Sequence, residues 1–307
     1  MPICERDPWR LQYFENVPCP DDVLIPTDDP DCWNWYPEHR WLYDKLRIAA
    51  SQGLACGPHG VGPELYPVFS KPMINLKGMG IGSRVIASAA EFDQHYQPGH
   101  MWMELLDGRH VSTDCAVLRG RAVWLRHATG EAWVDGMFKH WTIHAAADPE
   151  LEDYLTDWVE RHMAGYTGMM NFESIGGRII EAHLRFADQW CDLYGAGWVE
   201  AVVGLYAEGA WEFDDGRRRD GFSVPLFARH CASFSHPSPD LQAGLRAFPH
   251  VTSLQITFHQ SKAAADHPMP PGGFRLGIVN CTDLAAGIAA RRELAEAFPR
   301  DRVMLPD

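Results

Sequence analysis

Residues 171–185, NFESIGGRIIEAHLR, restrict the fold more than any other stretch of this chain. Two runs of strand-forming residues meet at Gly176-Gly177, and paired glycines suit a tight hairpin turn because both of its central residues take positive φ. Phe172, Ile175, Ile180, Ala182 and Leu184 offer apolar positions for a core, and Asn171, Glu173, Glu181, His183 and Arg185 are threaded between them. Residues two apart on a strand share a face, so Glu181, His183 and Arg185 point one way while Ile180, Ala182 and Leu184 point the other. Asn171 and Glu173 are matched likewise on the preceding strand. Solvation of the polar side is the ordinary outcome in an antiparallel sheet, and periodicity alone favours it. Converging Glu and Asn side chains are also the ligands a hard divalent cation takes, and a neighbouring Arg neutralises charge on oxygens in transfer.

Register separates the two readings. A bare two-residue turn pairs Glu173 with Ile180 and sends Glu173 and Glu181 to opposite faces. Joint metal binding requires a three-residue connection or a G1-type bulge, with Asn171 roughly opposite Glu181.

Two earlier stretches carry chemistry of their own. In VFSKPMINLKGMGIGSR, Lys71 ends a strand and Lys77, Gly78, Gly80, Gly82, Ser83 and Arg84 follow. Glycines let backbone N–H groups approach an anion closely, and the flanking cations add charge. The stretch matches neither the P-loop nor the dinucleotide fingerprint, and in isolation it is an ordinary loop. MWMELLDGRHVSTD runs an apolar strand through Glu104 and Leu106 into an Asp107-Gly108 turn. That is a plain hairpin, or a hinge whose backbone edge pairs with adenine.

The best-marked helix is DPELEDYLTDWVERHMAGY, with Asp148 as cap, Pro149 at the first position and Leu151, Tyr154, Leu155, Trp158, Val159 and Met163 on one face. Further helices are expected over about residues 38–52, 199–207 and 283–298, and in SAAEFDQHY behind Ser88. Strands are expected in YPVFSKPM, HMWMELL, RHVSTDCAVL, AVWLRHA, GFSVPLFA, SLQITFH and FRLGIVN. KHWTIH sets His140 and His144 at helical spacing, as exposed or core histidines. Residues 1–40, rich in Pro, Asp and aromatics, read as an irregular arm. No repeat is visible, and mixed strands and helices give an α+β chain.

Composition narrows the function. A formal charge of -14 argues against a nucleic-acid partner, which needs clustered Lys and Arg. No apolar run approaches membrane-spanning length, and the opening MPICERDPWR does not read as a secretory signal. Eight scattered cysteines without a C-x-x-C pair read as free thiols in a reducing cytoplasm. A length of 307 residues suits one large or two smaller domains.

Taken in order, YDKL, FSKP, the glycine-rich loop, ELLDG, STD and NFESIGGRIIEAHLR resemble the ATP-grasp superfamily over roughly residues 41–189. The resemblance implies an ATP site between two α+β lobes, with the usual N-terminal domain reduced to the arm before Trp41. It implies a 41–195 core and a 196–307 α/β part completing the substrate site. Lys45 and Lys71 would hold phosphates, and the loop with Lys77, Gly78, Gly80 and Ser83 would close over them. Glu104 and Leu106 would line the adenine pocket, with His110 where many members carry an acidic ribose-binding residue. Glu173 and Glu181 would hold Mg2+ between the β- and γ-phosphates, with His183 in place of the Asn of the family's E-x-N-x-R. Arg185 would lie near the transferred phosphoryl and acyl groups and share the catalytic role with Lys71. Arg275 in GGFRLGIVN is a candidate clamp for a substrate carboxylate, although an ordinary surface Arg is the default reading. The implied function is a cytoplasmic ligase that uses ATP and Mg2+ to join a small-molecule carboxylate to an amine through an acyl phosphate. No membrane or nucleic acid is implied, and a homodimer is open. A carboxylase-like enzyme activating bicarbonate, and a nucleotide-binding regulatory protein without turnover, are the alternatives.

Overall fold

Antiparallel pairing gathers the strands into two sheets, as seen in a computed structural model that describes residues 5, 7–76, 78, 80–230 and 233–306. The smaller sheet has the order β1-β4-β2-β3, built from Cys56–Pro58 (β1), Val68–Pro72 (β2), Arg84–Ile86 (β3) and His100–Glu104 (β4). Helix α4 (Ala89–Gln94) follows β3, and its cap is the expected Ser88, whose hydroxyl accepts the Glu91 N–H.

The larger sheet has nine strands. Its order is β11-β12-β10-β7-β6-β5-β8-β9, with β13 (Val303–Met304) beside β10. The strands are His110–Leu118 (β5), Arg121–Ala132 (β6), Phe138–Ile143 (β7), Gly168–Ile175 (β8), Arg178–His183 (β9), Gly221–Ala228 (β10), Val251–Ile256 (β11) and Phe274–Cys281 (β12). The pairs Gly221↔Ile143, Phe222↔Thr142 and Ser223↔Trp141 join β10 to β7, so residues beyond 196 extend the sheet begun by β5. At the far end β9 is an edge strand, shielded as exposed edges must be. The Gln52 side chain pairs with it as a strand would, donating to the Ile179 carbonyl and accepting the Ile179 N–H, both at 2.8 Å.

The α+β expectation holds, and several local readings change. The helix expected over 38–52 is two pieces: a 3₁₀ turn, Pro37–Tyr43, and α3, Lys45–Ser51. Asp44 leaves helical geometry between them, and its carboxylate accepts the Leu46 and Arg47 N–H groups, a cap in mid-sequence. KHWTI lies in strand β7 and His144 follows its last residue; a spacing of four also keeps two residues on one face of an extended chain. The arm contains α1 (Pro8–Leu11) and α2 (Asp29–Trp35).

Three apolar clusters fix the helices. Leu151, Leu155 and Trp158 of α5 (Pro149–His162) pack on Phe172 and Ala182, the apolar side of the hairpin. Trp198, Val202 and Leu205 of α6 (Trp198–Glu208) pack with Trp124, Phe186 and two arm residues, Phe14 and Ile25. Ala290 and Leu294 of α8 (Leu284–Ala295) and Leu245 of α7 (Pro239–Arg246) cover β10–β12. Sequence periodicity did not mark α7. Among the described residues no helix is long and apolar enough to cross a membrane, and six cysteines are free.

Candidate active site

The hairpin turns on Gly176 and Gly177, with φ of 55° and 76°. Ile175 pairs with Arg178 and Ser174 with Ile179; then Ile180 is skipped, and Glu173 pairs with Glu181 and Asn171 with His183. The connection is therefore a two-residue turn with a bulge, the second of the two expected forms. The required bulge lies at Ile180 rather than at a glycine. Asn171 consequently faces His183 instead of Glu181. The bulge still turns the strand over, so Glu173 and Glu181 stand side by side on one face. Two carboxylates directly opposed on a sheet repel. Cations answer them.

Lys45, at the first position of α3, places its Nζ 2.9 Å from Glu181 Oε1. His110, the first residue of β5, donates from Nε2 to Glu173 Oε2 at 3.2 Å. Burial alone would raise the Glu173 carboxyl, but the hydrogen bond and charge of His110, with His183 and Arg185 behind, hold it down to about 2. Lys71 comes from the other sheet and donates to the Ile180 carbonyl at 2.8 Å. That oxygen belongs to the bulged residue, so the lysine fixes the irregularity on which the carboxylate pairing depends. Burial pulls the Lys71 ammonium down to about 8, with Lys45 adding to the fall and Glu181 and Glu173 opposing it.

A second group lies at the base of the hairpin. Asp29, in the first turn of α2, accepts from His183 Nδ1 at 3.1 Å and from Arg185 Nη2 at 3.0 Å. Burial would raise Asp29; the Arg185 and His183 charges instead hold it below the usual carboxylate range. His183 Nε2 has Glu181 Oε2 at 3.8 Å, beyond hydrogen-bond reach. Asn171 is turned toward β5, donating to Asp114 Oδ1 at 2.7 Å and Ser112 Oγ at 2.9 Å. Asp114 also accepts from the Ala187 N–H and the Tyr194 hydroxyl, yet full burial pushes its carboxyl up to about 6.

Lys45, Lys71, His110, Glu173, Glu181, His183 and Arg185 are thus linked through neighbouring contacts. Other expected residues stand apart from that network. Lys77 lies outside the described residues. Gly78 and Gly80 take positive φ in the loop between β2 and β3, and Ser83 closes a turn onto the Gly80 carbonyl. Glu104 is exposed and accepts the Ala55 N–H, while Leu106 joins an apolar cluster with Met101, Met103 and Ile180. Gly176 packs on the Asp107-Gly108 turn: its N–H donates to the Arg109 carbonyl at 3.2 Å, and a Cβ there would strike the Asp107 carbonyl oxygen. Arg275 on β12 has a buried Nε without a hydrogen-bond partner, and burial draws its guanidinium down to about 10 against the attraction of Asp188. Asp188 also attracts Arg185 and is paired with Arg10. Sequence reasoning missed Asp29 and Asp114 as site residues; the only signals were PTDDPDC, read as turns, and STD.

The donor set suits a hard cation, since Glu173 and Glu181 present opposed carboxylates on one face. Among the described residues no three His, Cys, Asp or Glu side chains close into a metal cage on their own. An ion here would complete its shell from substrate oxygens and water, as Mg2+ commonly does.

No protein-family model matches the sequence, and no curated protein matches it. Solved structures do match the fold. An L-amino acid ligase from Bacillus licheniformis superposes with a TM-score of 0.61 at 12% identity, over 97% of this chain and 84% of that one. A phosphoribosylamine–glycine ligase from Thermotoga maritima gives 0.61 at 13% identity, over 93% and 85%. The biotin carboxylase domain of a Hydrogenobacter thermophilus 2-oxoglutarate carboxylase, solved with MgADP and bicarbonate, gives 0.56 at 12% identity, over 88% and 68%.

Proposed function

Because this chain has the ATP-grasp fold, we propose that it is a ligase that spends ATP to join a carboxylate to an amine. The observation that carries this reading is the convergence of Lys45, Lys71, Glu173 and Glu181 where the two sheets meet. Lys45 and Lys71 hold phosphate oxygens, Lys45 exchanging its pairing with Glu181 for them. The loop bearing Gly78, Gly80 and Ser83 covers the phosphates with backbone N–H groups. Leu106, Met103 and Ile180 form the apolar floor under adenine, with Glu104 at the hinge and His110 toward the ribose. Glu173 and Glu181, with His183 beside them, hold Mg2+, which when bound neutralises charge developing on the terminal phosphates.

The substrate carboxylate attacks the γ-phosphorus and ADP leaves. The amine then attacks the acyl carbon, phosphate departs and the nitrogen loses a proton. Arg185 steadies the oxygens of the acyl phosphate from its anchor on Asp29. Arg275, with its unpartnered buried Nε, clamps a carboxylate of the substrate. The free thiols and small-molecule substrates fit a cytoplasmic enzyme.

The test is an ADP-release screen over amino acids supplied in pairs, repeated with hydroxylamine. ADP, phosphate and a hydroxamate in place of the amide are expected. AMP and pyrophosphate would mean adenylation and overturn the mechanism. Release driven by bicarbonate alone would favour the carboxylase reading. Nucleotide binding without release for any pair would favour a regulatory protein.

A further inference from the structure

We propose that the open depression between α3 and α5 is a second binding site, separate from the hairpin carboxylates, for a small phosphate monoester. The proposal stands apart from the ligase reading and survives its failure.

Helix α3 has two faces. Lys45, Ile48 and Ala49 are buried, and Gln52 just beyond them reaches Ile179 of β9. Arg47, Ala50 and Ser51 fall on the other side, as a period of 3.6 residues requires. There they meet Trp41 of the 3₁₀ turn, and Arg161 and His162 from the end of α5. These six residues line a depression of about 500 Å³.

Its walls are cationic. The chain has 27 Lys and Arg against 41 Asp and Glu, so a carboxylate is the common neighbour of an arginine. Among the described residues neither arginine here is ion-paired. Arg47 lies over the Trp41 ring, 5.1 Å from its centroid, and Arg161 donates from Nε to the Asp157 carbonyl at 3.1 Å. That leaves the terminal nitrogens of both guanidinium groups for a ligand. The His162 ring packs against Trp158 and Trp41 at 4.8 and 6.1 Å, and its Nε2 is buried without a hydrogen-bond partner. Trp158 Nε1 donates to Ser51 Oγ at 3.0 Å and so ties the two walls together. Burial, and then the Arg161 charge, hold the His162 imidazole below its ordinary value. The α5 dipole accounts for Arg161 and His162, which lie in its last turn, but not for Arg47 on another helix.

Two guanidinium groups and an imidazole that can take a proton match the double charge of a phosphate better than a single carboxylate. Their planar forks also fit phosphate oxygens. The volume is that of a ligand pocket rather than of a bare ion, which leaves room for an organic body along Trp41 and Ala50.

The experiment follows the imidazole resonances of the full chain by NMR, with His162 assigned from His162→Gln. Sodium phosphate, acetate or chloride is added at matched ionic strength. Phosphate should move the His162 signals saturably and raise the pH at which they titrate, because a neighbouring anion favours imidazolium. Arg47→Gln should weaken that response about tenfold or more. Lys71→Met, which alters the cleft between the sheets, should leave it as in wild type. Absence of a saturable response, or one that acetate or chloride matches, overturns the proposal. So does a wild-type response in Arg47→Gln, or its loss in Lys71→Met, which would make His162 a reporter of the cleft. Should Arg47→Gln fail to fold, Arg161→Gln takes its place. The ligase reading is decided separately, by the ADP-release screen.

Discussion

Lys71 carries the sharpest expectation at the scale of single residues. Removing a charge-assisted hydrogen bond costs about 1.5–3 kcal/mol, so Lys71→Met should weaken nucleotide binding about ten- to hundred-fold by calorimetry. Its depressed ionisation adds a pH signature. On the proposed function the protonated lysine binds phosphate, so affinity should be level below about 8 and decline as pH rises through that value, with proton uptake on binding seen as buffer-dependent heat. Lys71→Arg keeps the charge and should flatten the profile; an unchanged slope would remove Lys71 from the phosphates. For folding the sign is opposite. Between about 8 and the ordinary 10.5 the unfolded chain holds the extra proton, so this group's contribution to stability rises with pH across that window. The expectation for Lys71 came from FSKP at a strand end in a recognisable succession of motifs, and the structure sets that lysine against the Ile180 carbonyl. Asp29 was not legible, because it lies 154 positions from His183 in a stretch whose Pro and Asp content speaks only of turns. Local pattern carries no information on a partner that only tertiary folding brings close.

At the scale of elements, the β8–β9 hairpin was readable because alternation is local and Gly-Gly fixes the turn. That a bulge had to exist followed from two carboxylates needing one face. Its position did not, since Ile180 is singled out by a lysine from the other sheet. His140 and His144 misled for a related reason: a spacing of four satisfies both a helix and a strand. The two turn glycines offer a paired test. Gly177→Ala meets open space and should cost only the left-handed backbone penalty, about 1–2 kcal/mol. Gly176→Ala carries the same penalty and also strikes the Asp107 carbonyl, so its loss in chemical denaturation should be clearly larger. Equal losses would mean that the contact between turn and hinge is loose.

At the scale of the whole molecule, the arm that reads as irregular is part of the core. Phe14 and Ile25 are 1% and 0% exposed among the tryptophans of the α6 cluster, a burial that no periodic pattern announces. The ladder from β7 to β10 was equally hidden, since strand pairing across more than 70 residues has no sequence signature. Its consequence is mechanical. Three pairs of residues bind the two halves of the long sheet, and parting them would expose backbone groups to no partner. Among the described residues the small sheet has no such ladder to the large one, and Lys71 to Ile180 is a side-chain tether. Addition of ADP should therefore slow amide exchange across residues 56–104 and leave the β7–β10 amides as they were; slowing spread evenly over both sheets would contradict this. On the proposed function the long sheet would be the anvil and the four-stranded sheet the jaw that closes on it.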